Sequence, residues 1–178
     1  MADKTNIFWY PLRVFFGRAE LVKESLDEAD IEYFYPTRLV EKPTSEGLKF
    51  VPEPVVRSLI FIKTTPESLR SFKAKLGGSI SPYFDKAAGS PLVVPERQMD
   101  KFIKLCEMRD SGLEYLGSDD PKYHQGDRVR VTEGIFKGFE GHVKRIRHDR
   151  KLIVTIEGVA AFATRFIPPS CLEKIENK

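Results

Sequence analysis

The chain has 178 residues, a formal net charge of +3, 41% hydrophobic residues and 31% charged residues. These proportions are typical of a globular protein and exclude wholesale disorder and collagen-like repeats. No apolar run approaches a membrane span, which takes roughly 18–20 residues, and we expect no signal peptide. The two cysteines, Cys106 and Cys171, match no metal-binding spacing and no disulfide framework, which favours a reducing cytoplasm.

The charge is unevenly distributed along the chain. Residues 1–112 carry a net charge of +1, residues 113–122 a net charge of −2, and residues 123–178 a net charge of +4. The basic surplus therefore lies in the last third of the chain. A length of 178 residues falls between one average domain and two, which fits one medium domain followed by a small one.

The first part of the chain predicts a strand, a helix and a second strand. Ile7–Val14 is rich in the aromatic and β-branched residues that strands favour, although Pro11 cannot donate to a ladder and indicates an edge or a bulge. Arg18–Ala29 has apolar residues at helical spacing, and Ile31–Val40 returns to strand character. This order favours a fold that combines helices with a sheet.

The middle of the chain predicts a loop, a central strand and a second helix. Glu41–Pro54 contains three prolines and is interpreted as a loop or a ragged hairpin. Val55–Lys63 is mostly apolar and predicts a central strand. Thr65 followed by Pro66 is typical of a helix start, because a hydroxyl caps the helix and proline suits its first turn.

Two short strands and a third helix are predicted next. Ile80–Phe84 and Leu92–Val94 flank a turn of small residues, and Pro95 is typical of a helix start. Gly112 lies beyond the expected end of this helix. Four apolar residues at helical spacing form its expected buried stripe: Met99, Phe102, Ile103 and Cys106.

The character of the chain changes after residue 112. Residues 113–122 have no sustained periodicity, carry three acidic residues, and predict a linker. Beyond them, short alternating segments predict strands, with Val129 and Val131 facing a core. About 55 residues of short strands fit a small β-barrel, which closes its own edges.

A glycine-rich stretch extends from Gly126 to Val143. Its glycines permit the positive φ angles or the close approaches of a tight loop. Phe136 lies between two of these glycines, Gly134 and Gly138. This aromatic side chain either plugs the end of the barrel or is presented to a partner.

The glycine-rich stretch resembles the KOW motif of the NusG family of transcription elongation factors. The residues before it resemble the N-terminal domain of the same family. Trp9-Tyr10 with Gly17 downstream is similar to the family's first strand and turn, and the segment 89–95 is similar to the turn before its third helix. The resemblance covers nearly the whole chain in the family's order.

The resemblance implies an α+β fold with two domains. Residues 1–112 would form the N-terminal domain, an antiparallel sheet flanked by helices. Residues 113–122 would form the linker, and residues 123–178 an SH3-like KOW β-barrel. The +4 charge of the last segment would then belong to a small basic module.

The chain departs from the housekeeping members of the family at three positions. Arg57 replaces a usual proline, and Leu59 stands where an aromatic residue is usual. Val159 stands where housekeeping members often have an aromatic residue that binds partners. These departures favour a specialised paralogue, similar to the RfaH-like and UpxY-like antiterminators that act on selected long operons.

The resemblance implies that the N-terminal domain docks on the clamp helices of RNA polymerase and suppresses pausing or termination. A helix laid into an apolar groove needs apolar anchors. The alternative is that the apolar candidates are core residues and the polar ones are solvated. The candidate polymerase-binding residues are Tyr10, Val56, Leu59, Phe61, Arg70 and Ser71.

Three basic residues near the first strand–helix turn are candidates for nucleic-acid binding: Arg13, Arg18 and Lys23. Their side chains would contact DNA phosphates. The alternative is that they form a solvated face. In the KOW domain, the resemblance implies that Phe136, Lys137 and Val159 bind a further partner, either Rho or a ribosomal protein.

The sequence predicts no enzyme and no cofactor. The histidines show no zinc spacing with either cysteine, and neither a phosphate-binding loop nor a nucleophile–base pair is recognisable. We expect a cytoplasmic monomer that acts as a transcription elongation factor or antiterminator. The competing hypothesis is an RNA-binding or ribosome-associated KOW protein, whose binding to phosphates would depend on salt.

Overall fold

The structure is a computed structural model that describes residues 6–108 and 111–176. The chain forms two compact units, one of residues 1–36 and 56–100 and the other of residues 37–55 and 101–178. Both contain antiparallel sheets, and the predicted α+β class is confirmed. None of the helices in these residues is long and apolar enough to cross a membrane.

The helices within the described residues are α1 Ala19–Glu28, α2 Pro66–Leu76 and α3 Glu96–Glu107. The strands up to α3 are β1 Phe8–Val14, β2 Glu32–Phe34, β3 Thr37–Thr44, β4 Gly47–Pro54, β5 Leu59–Thr64, β6 Ile80–Pro82, β7 Phe84–Asp85 and β8 Ser90–Pro91. The later strands are β9 Glu114–Gly117, β10 Arg128–Val131, β11 Glu140–Ile146, β12 Asp149–Ile156, β13 Ala160–Phe166 and β14 Leu172–Lys174.

The first unit is built on a four-stranded sheet with the order β2-β5-β1-β6. β1 and β5 pair antiparallel at its centre, with Tyr10 opposite Ile62 and Leu12 opposite Ile60. One face of this sheet packs against α1 and α2. Since successive side chains of a strand point to opposite faces, every second residue of β1 and β5 contributes to this core. The core on this face consists of Tyr10, Leu12, Val14, Ala19, Val22, Leu26, Ile60, Ile62, Leu69, Phe72 and Ile80.

The helix predicted to start at Thr65 is present and capped as the sequence indicates. The Thr65 hydroxyl oxygen accepts a hydrogen bond from the backbone N–H of Ser68 at 3.2 Å, and Pro66 occupies the first turn. Gly77, with a φ of +54°, follows the last residue of α2. Local signals therefore fix both ends of this helix.

The predicted strand at Ile31–Val40 is interrupted, and this prediction is corrected. The structure has β2 at Glu32–Phe34 and β3 from Thr37 onward. Pro36 lies in the break, and it has no N–H to donate to a ladder. The two strands therefore belong to different sheets.

The segment Glu41–Pro54, interpreted as a loop or a ragged hairpin, is part of a regular hairpin. β3 and β4 pair over their whole length and turn at two residues between Thr44 and Gly47. Counting from this turn, Pro43, Pro52 and Pro54 all fall in pairs of the non-hydrogen-bonded kind. Their missing N–H groups therefore cost the ladder nothing, which explains why the prolines do not break it.

The second unit contains a six-stranded antiparallel sheet with the order β14-β10-β11-β12-β13-β9. Val129 and Val131 are buried, as the alternation predicts. The segment 113–122, predicted as a linker, contains β9, which pairs with β13. This part of the segment is therefore a strand of the sheet, although the domain boundaries themselves stay a prediction.

The apolar stripe of α3 is buried largely as predicted. Met99, Phe102 and Cys106 are buried, and Ile103 is half-buried. Leu105 is fully buried and was not part of the predicted stripe. The Phe102 ring lies 4.7 Å from the ring of Phe162, measured between centroids. Burial raises the pKa of the Cys106 thiol far above its usual range, so this cysteine is a core residue.

Candidate functional site

The apolar polymerase-binding candidates lie on two different faces of the first sheet. Tyr10 belongs to the core beneath α1 and α2. Leu59 and Phe61 alternate with Ile60 and Ile62 along β5, and so point to the opposite face. The sequence left open which face of β5 meets the helices, and the structure assigns that role to Ile60 and Ile62.

Leu59 and Phe61 are nevertheless buried in this structure. Their exposed fractions are 1% and 0%, and Val56, just before β5, is also buried. Burial raises the pKa of the Tyr10 hydroxyl above its ordinary value, as expected for a side chain in the core. The roles of Tyr10, Val56, Leu59 and Phe61 in binding polymerase stay predictions.

The two polar candidates are accessible. Arg70 and Ser71 are exposed on α2, whereas Leu69 and Phe72 bury the other side of the same helix. An exposed pair on a helix whose apolar stripe is fully used by the core is available to a partner without any rearrangement.

The three basic candidates surround the turn between β1 and α1, but they differ in their partners. Lys23 forms an ion pair with Glu20 at 2.8 Å, and that bond raises the pKa of its ammonium group. The Arg13 guanidinium lies 4.3 Å from the centroid of the Tyr83 ring. Arg18 donates from Nη1 to the Ser79 hydroxyl at 2.8 Å. Of the three, Lys23 is the least available for a phosphate.

Sequence reasoning missed Phe16 at the same turn. Its ring is 81% exposed and its backbone has a φ of +58°, a conformation that is unfavourable for a side chain of this size. The signal in the sequence was the pair Phe15-Phe16 directly before Gly17, where a solvent-facing turn would ordinarily carry polar residues.

In the second unit, two of the three partner-binding candidates are buried. Phe136 is 4% exposed and Val159 is 0% exposed, whereas Lys137 lies on the surface. Of the two readings of Phe136, its position fits the plug. The neighbouring Ile135, which the sequence analysis did not single out, is 51% exposed. The presented apolar side chain of this loop is therefore Ile135.

Next to this loop is a cleft of about 340 Å³. It lies between the β10–β11 loop and the segment that connects β13 to β14. Ile135 and Phe166 are its exposed apolar side chains. Its lining is Glu133, Gly134, Ile135, Phe136, Arg165, Phe166, Ile167, Pro168 and Cys171.

A carboxylate fixes the turn that carries Val159. Asp119 accepts a hydrogen bond from the backbone N–H of Gly158 at 2.8 Å, and its other oxygen lies 2.6 Å from Nε2 of His124. The ring of His124 lies 5.9 Å from that of His142. Burial lowers the pKa of His142, and the nearby positive groups lower it further.

The geometry offers no centre for metal-dependent chemistry in the described residues. No group of three or more His, Cys, Asp or Glu side chains there could hold a metal ion. The first unit exposes a basic and aromatic turn, and the second has a cleft beside a glycine-rich loop, whereas the sheet face that holds Leu59 and Phe61 is buried. Exposed aromatic and arginine side chains are enriched at interfaces with other proteins.

Comparisons with known proteins give the family. A family model described as "Transcription termination factor nusG" matches residues 8–103, and a KOW motif model matches residues 125–157. The chain is similar to the "Transcription termination/antitermination protein NusG" of Chlamydia trachomatis serovar D and of Chlamydia muridarum. Each is 23% identical over 168 residues, which cover 88% of this chain and 88% of the relative.

A solved structure described as "Domain interaction in Thermotoga maritima NusG" has a similar fold, with a TM-score of 0.51 and 22% identity over 96% of this chain and 98% of that one. The first family model covers more than half of the chain. The protein therefore belongs to the NusG family of transcription termination and antitermination factors. Factors of this family are not enzymes and bind RNA polymerase.

Proposed function

We propose that this protein is a transcription elongation factor that docks on RNA polymerase through its first unit and suppresses pausing or termination. The observation that carries the proposal is the second apolar face of the sheet. α1 and α2 pack on the face that holds Ile60 and Ile62, so the apolar side chains of Leu59 and Phe61 lie on the other face of β5, outside that cluster. An apolar face of this kind suits a partner helix laid across it.

Docking through this face requires that it first be uncovered. Leu59 and Phe61 are at most 1% exposed, and a side chain in that state cannot act as an anchor for a partner. Binding of polymerase would then select a conformation in which the face is accessible. Arg70 and Ser71, which are already exposed on α2, would make a second contact across the polymerase cleft.

The specialised role is also a proposal. Arg57 is exposed just before β5, and Leu59 and Val159 replace aromatic residues that are usual in housekeeping members. These differences support a factor that acts on selected operons, in the manner of the RfaH-like and UpxY-like antiterminators. Such a factor would work in the cytoplasm and as a monomer.

The second unit would recruit a further protein, either Rho or a ribosomal protein. Ile135, Phe166 and the cleft between them supply an accessible apolar surface beside Lys137. Phe136 and Val159 would then act from beneath, by holding the loop and the turn in place, since neither is exposed.

Binding to core RNA polymerase tests the docking face with a pair of matched variants. Leu59→Ala and Ile60→Ala remove similar side chains from adjacent positions of β5, both essentially fully buried but on opposite faces. Each should lower the free energy of unfolding by about 2–5 kcal/mol. Only Leu59→Ala should also weaken binding to polymerase, measured by surface plasmon resonance or by gel filtration. The measurement is made at a temperature where both variants give a native circular dichroism spectrum.

Arg70→Glu provides an independent variant that does not touch the core. We expect it to weaken polymerase binding without a change in the unfolding midpoint, because Arg70 is exposed. Equal binding by Leu59→Ala, Ile60→Ala and the unchanged chain would refute docking through this face. Sedimentation with ribosomes in the absence of any polymerase binding would favour the alternative, a ribosome-associated KOW protein.

A further inference from the structure

The hairpin of β3 and β4 is a sheet of two strands, so each strand has an outer edge. Within the described residues, no third strand pairs with either edge. An unpaired edge presents a row of N–H and C=O groups that can pair with another chain. The base of the hairpin is held, because Nη1 of Arg38 donates to the Leu113 carbonyl at 3.0 Å, whereas residues 41–50 are exposed.

The two edges of the hairpin differ in their hydrogen-bond donors. Residues in pairs of the non-hydrogen-bonded kind turn their N–H and C=O groups outward, away from the partner strand. On β4 these residues include Pro52 and Pro54, which have no N–H to donate. On β3 they include Leu39 and Glu41, which do have one, and Pro43 lies next to the turn. Proline blocks the pairing of an edge, so the edge of β4 is protected near the base whereas that of β3 is open.

One face of the hairpin is apolar except at Glu41. Since side chains alternate between faces, Leu39 on β3 shares this face with Leu48 and Phe50 on β4. Leu48 is 67% exposed and Phe50 is 40% exposed. A strand added beside β3 would place every second side chain on this face, next to Leu39, where an apolar residue fits best.

The other face of the hairpin has more positive charge on β3 than β4 can match. Arg38 and Lys42 both point to this face from β3. Both pair with the same carboxylate, that of Glu53 on β4, at 3.4 Å and 3.3 Å. One carboxylate therefore serves two cations. An acidic side chain on the open side of β3 would supply the second carboxylate, because opposite charges on neighbouring strands attract.

We propose that the edge of β3 binds an extended, acidic segment of another protein, which adds an antiparallel strand to the hairpin. Main-chain hydrogen bonds to Leu39 and Glu41 supply the affinity, as in other cases of strand addition. Alternating side chains supply the specificity, with apolar residues beside Leu39 and acidic residues beside Arg38 and Lys42. The site lies on β3, outside the proposed polymerase-docking face of β5, and does not depend on it.

The test is the binding of a fluorescent peptide of about eight residues that alternates valine and glutamate. Binding to the full chain is measured by fluorescence anisotropy without polymerase, so failure here leaves the proposed docking untouched. In the antiparallel register the valines lie opposite Leu39 and Glu41 and exchange hydrogen bonds with them, whereas the glutamate N–H groups point away. N-methylation of the valines should therefore abolish binding, and N-methylation of the glutamates should not. A peptide that alternates valine and lysine should bind about tenfold more weakly.

Leu39→Pro and Leu48→Pro form a matched pair of variants on the two strands. Each replaces a leucine in a pair of the non-hydrogen-bonded kind, so neither removes a hydrogen bond between β3 and β4. Only Leu39→Pro blocks the open edge, and it should weaken peptide binding about tenfold. Leu48→Pro should bind as the unchanged chain does. Circular dichroism checks that both variants are folded.

Two further measurements leave the backbone of the hairpin intact. In the unchanged chain, the bound peptide should slow amide hydrogen exchange at Leu39 and Glu41 and leave the exchange at Leu48 and Phe50 unaltered. Lys42→Glu should weaken the binding of the glutamate peptide and strengthen that of the lysine peptide, because it reverses the charge beside the added strand.

Four results would overturn the proposal. They are no binding of the glutamate peptide, equal binding of the two N-methylated peptides, equal losses in Leu39→Pro and Leu48→Pro, and equal binding of the glutamate and lysine peptides. A dimer of the chain that Leu39→Pro dissociates would assign the edge of β3 to a second copy, and would also overturn the proposed acidic partner.

Discussion

Phe16 combines a left-handed backbone with a ring that is 81% exposed, so the fold gains little apolar burial at this position. The ring contacts exposed or half-exposed neighbours, Phe15 and the Arg18 guanidinium, so little packing energy offsets the unfavourable backbone. The neighbouring Phe15 is exposed to 39% and is not among the residues with a positive φ, which makes it a natural control for the effect of the backbone.

At this scale we predict that Phe16→Asn stabilises the protein. The substitution should raise the free energy of unfolding by about 1 kcal/mol, because asparagine tolerates the left-handed region that penalises phenylalanine. Phe15→Asn should not stabilise, since no such strain is relieved there. Urea denaturation followed by circular dichroism measures both, and a lower midpoint for Phe16→Asn than for the unchanged chain would contradict the assignment of strain.

Local signals predicted the elements best. Thr65 and Pro66 predicted the start of α2, because capping depends on neighbours in the chain. The hairpin of β3 and β4 was obscured by its prolines, whose tolerance depends on the pairing register and not on the composition. β9 was missed because its pairing with β13 joins segments that are far apart in the sequence.

The candidate site was predictable to the same limited degree. The alternation along β5 predicted that Leu59 and Phe61 share a face, but not which face the helices cover. The glycine-rich loop was recognisable, whereas the burial of Phe136 and the exposure of Ile135 depend on how the loop closes. The accessible turn at Phe16 depends on a backbone angle that no residue pattern states.

At the scale of elements, the C-terminal sheet should lose stability in mild acid through His142 on β11. Burial, and then the charges of His124, Arg128 and Lys144, lower the pKa of His142 in the folded chain. The unfolded chain, with an ordinary histidine pKa near 6.5, therefore takes up the proton more readily as the pH falls through that value. The stability contributed by neutral His142 is present above that pH and is lost below it.

His142→Gln should reduce this pH dependence. We expect the fall in the unfolding temperature between pH 7.5 and pH 5.5 to be smaller in the variant than in the unchanged chain. The hydrogen bond with Arg130 lowers the pKa of Glu140, so Glu140 also makes the protein less stable as the pH falls. This loss of stability is the same in the variant and in the unchanged chain, and it cancels when the two are compared. An identical fall in the two proteins would show that His142 does not titrate with folding.

The whole molecule joins two units with different chemistry in one chain. The first has a sheet with buried apolar side chains on both faces and an exposed aromatic turn after β1, and the second has a cleft beside the glycine-rich loop of a six-stranded sheet. The family models match segments of both, in the order in which they occur along the chain.

The dwell time of purified core RNA polymerase at a defined pause site tests the central claim most directly. With saturating amounts of the full chain, the account predicts a shorter dwell time. Leu59→Ala should shorten the dwell time less than Ile60→Ala, because the two residues are equally buried but only Leu59 lies on the proposed docking face. An unchanged dwell time at saturation, or the same shortening by both variants, would contradict the account.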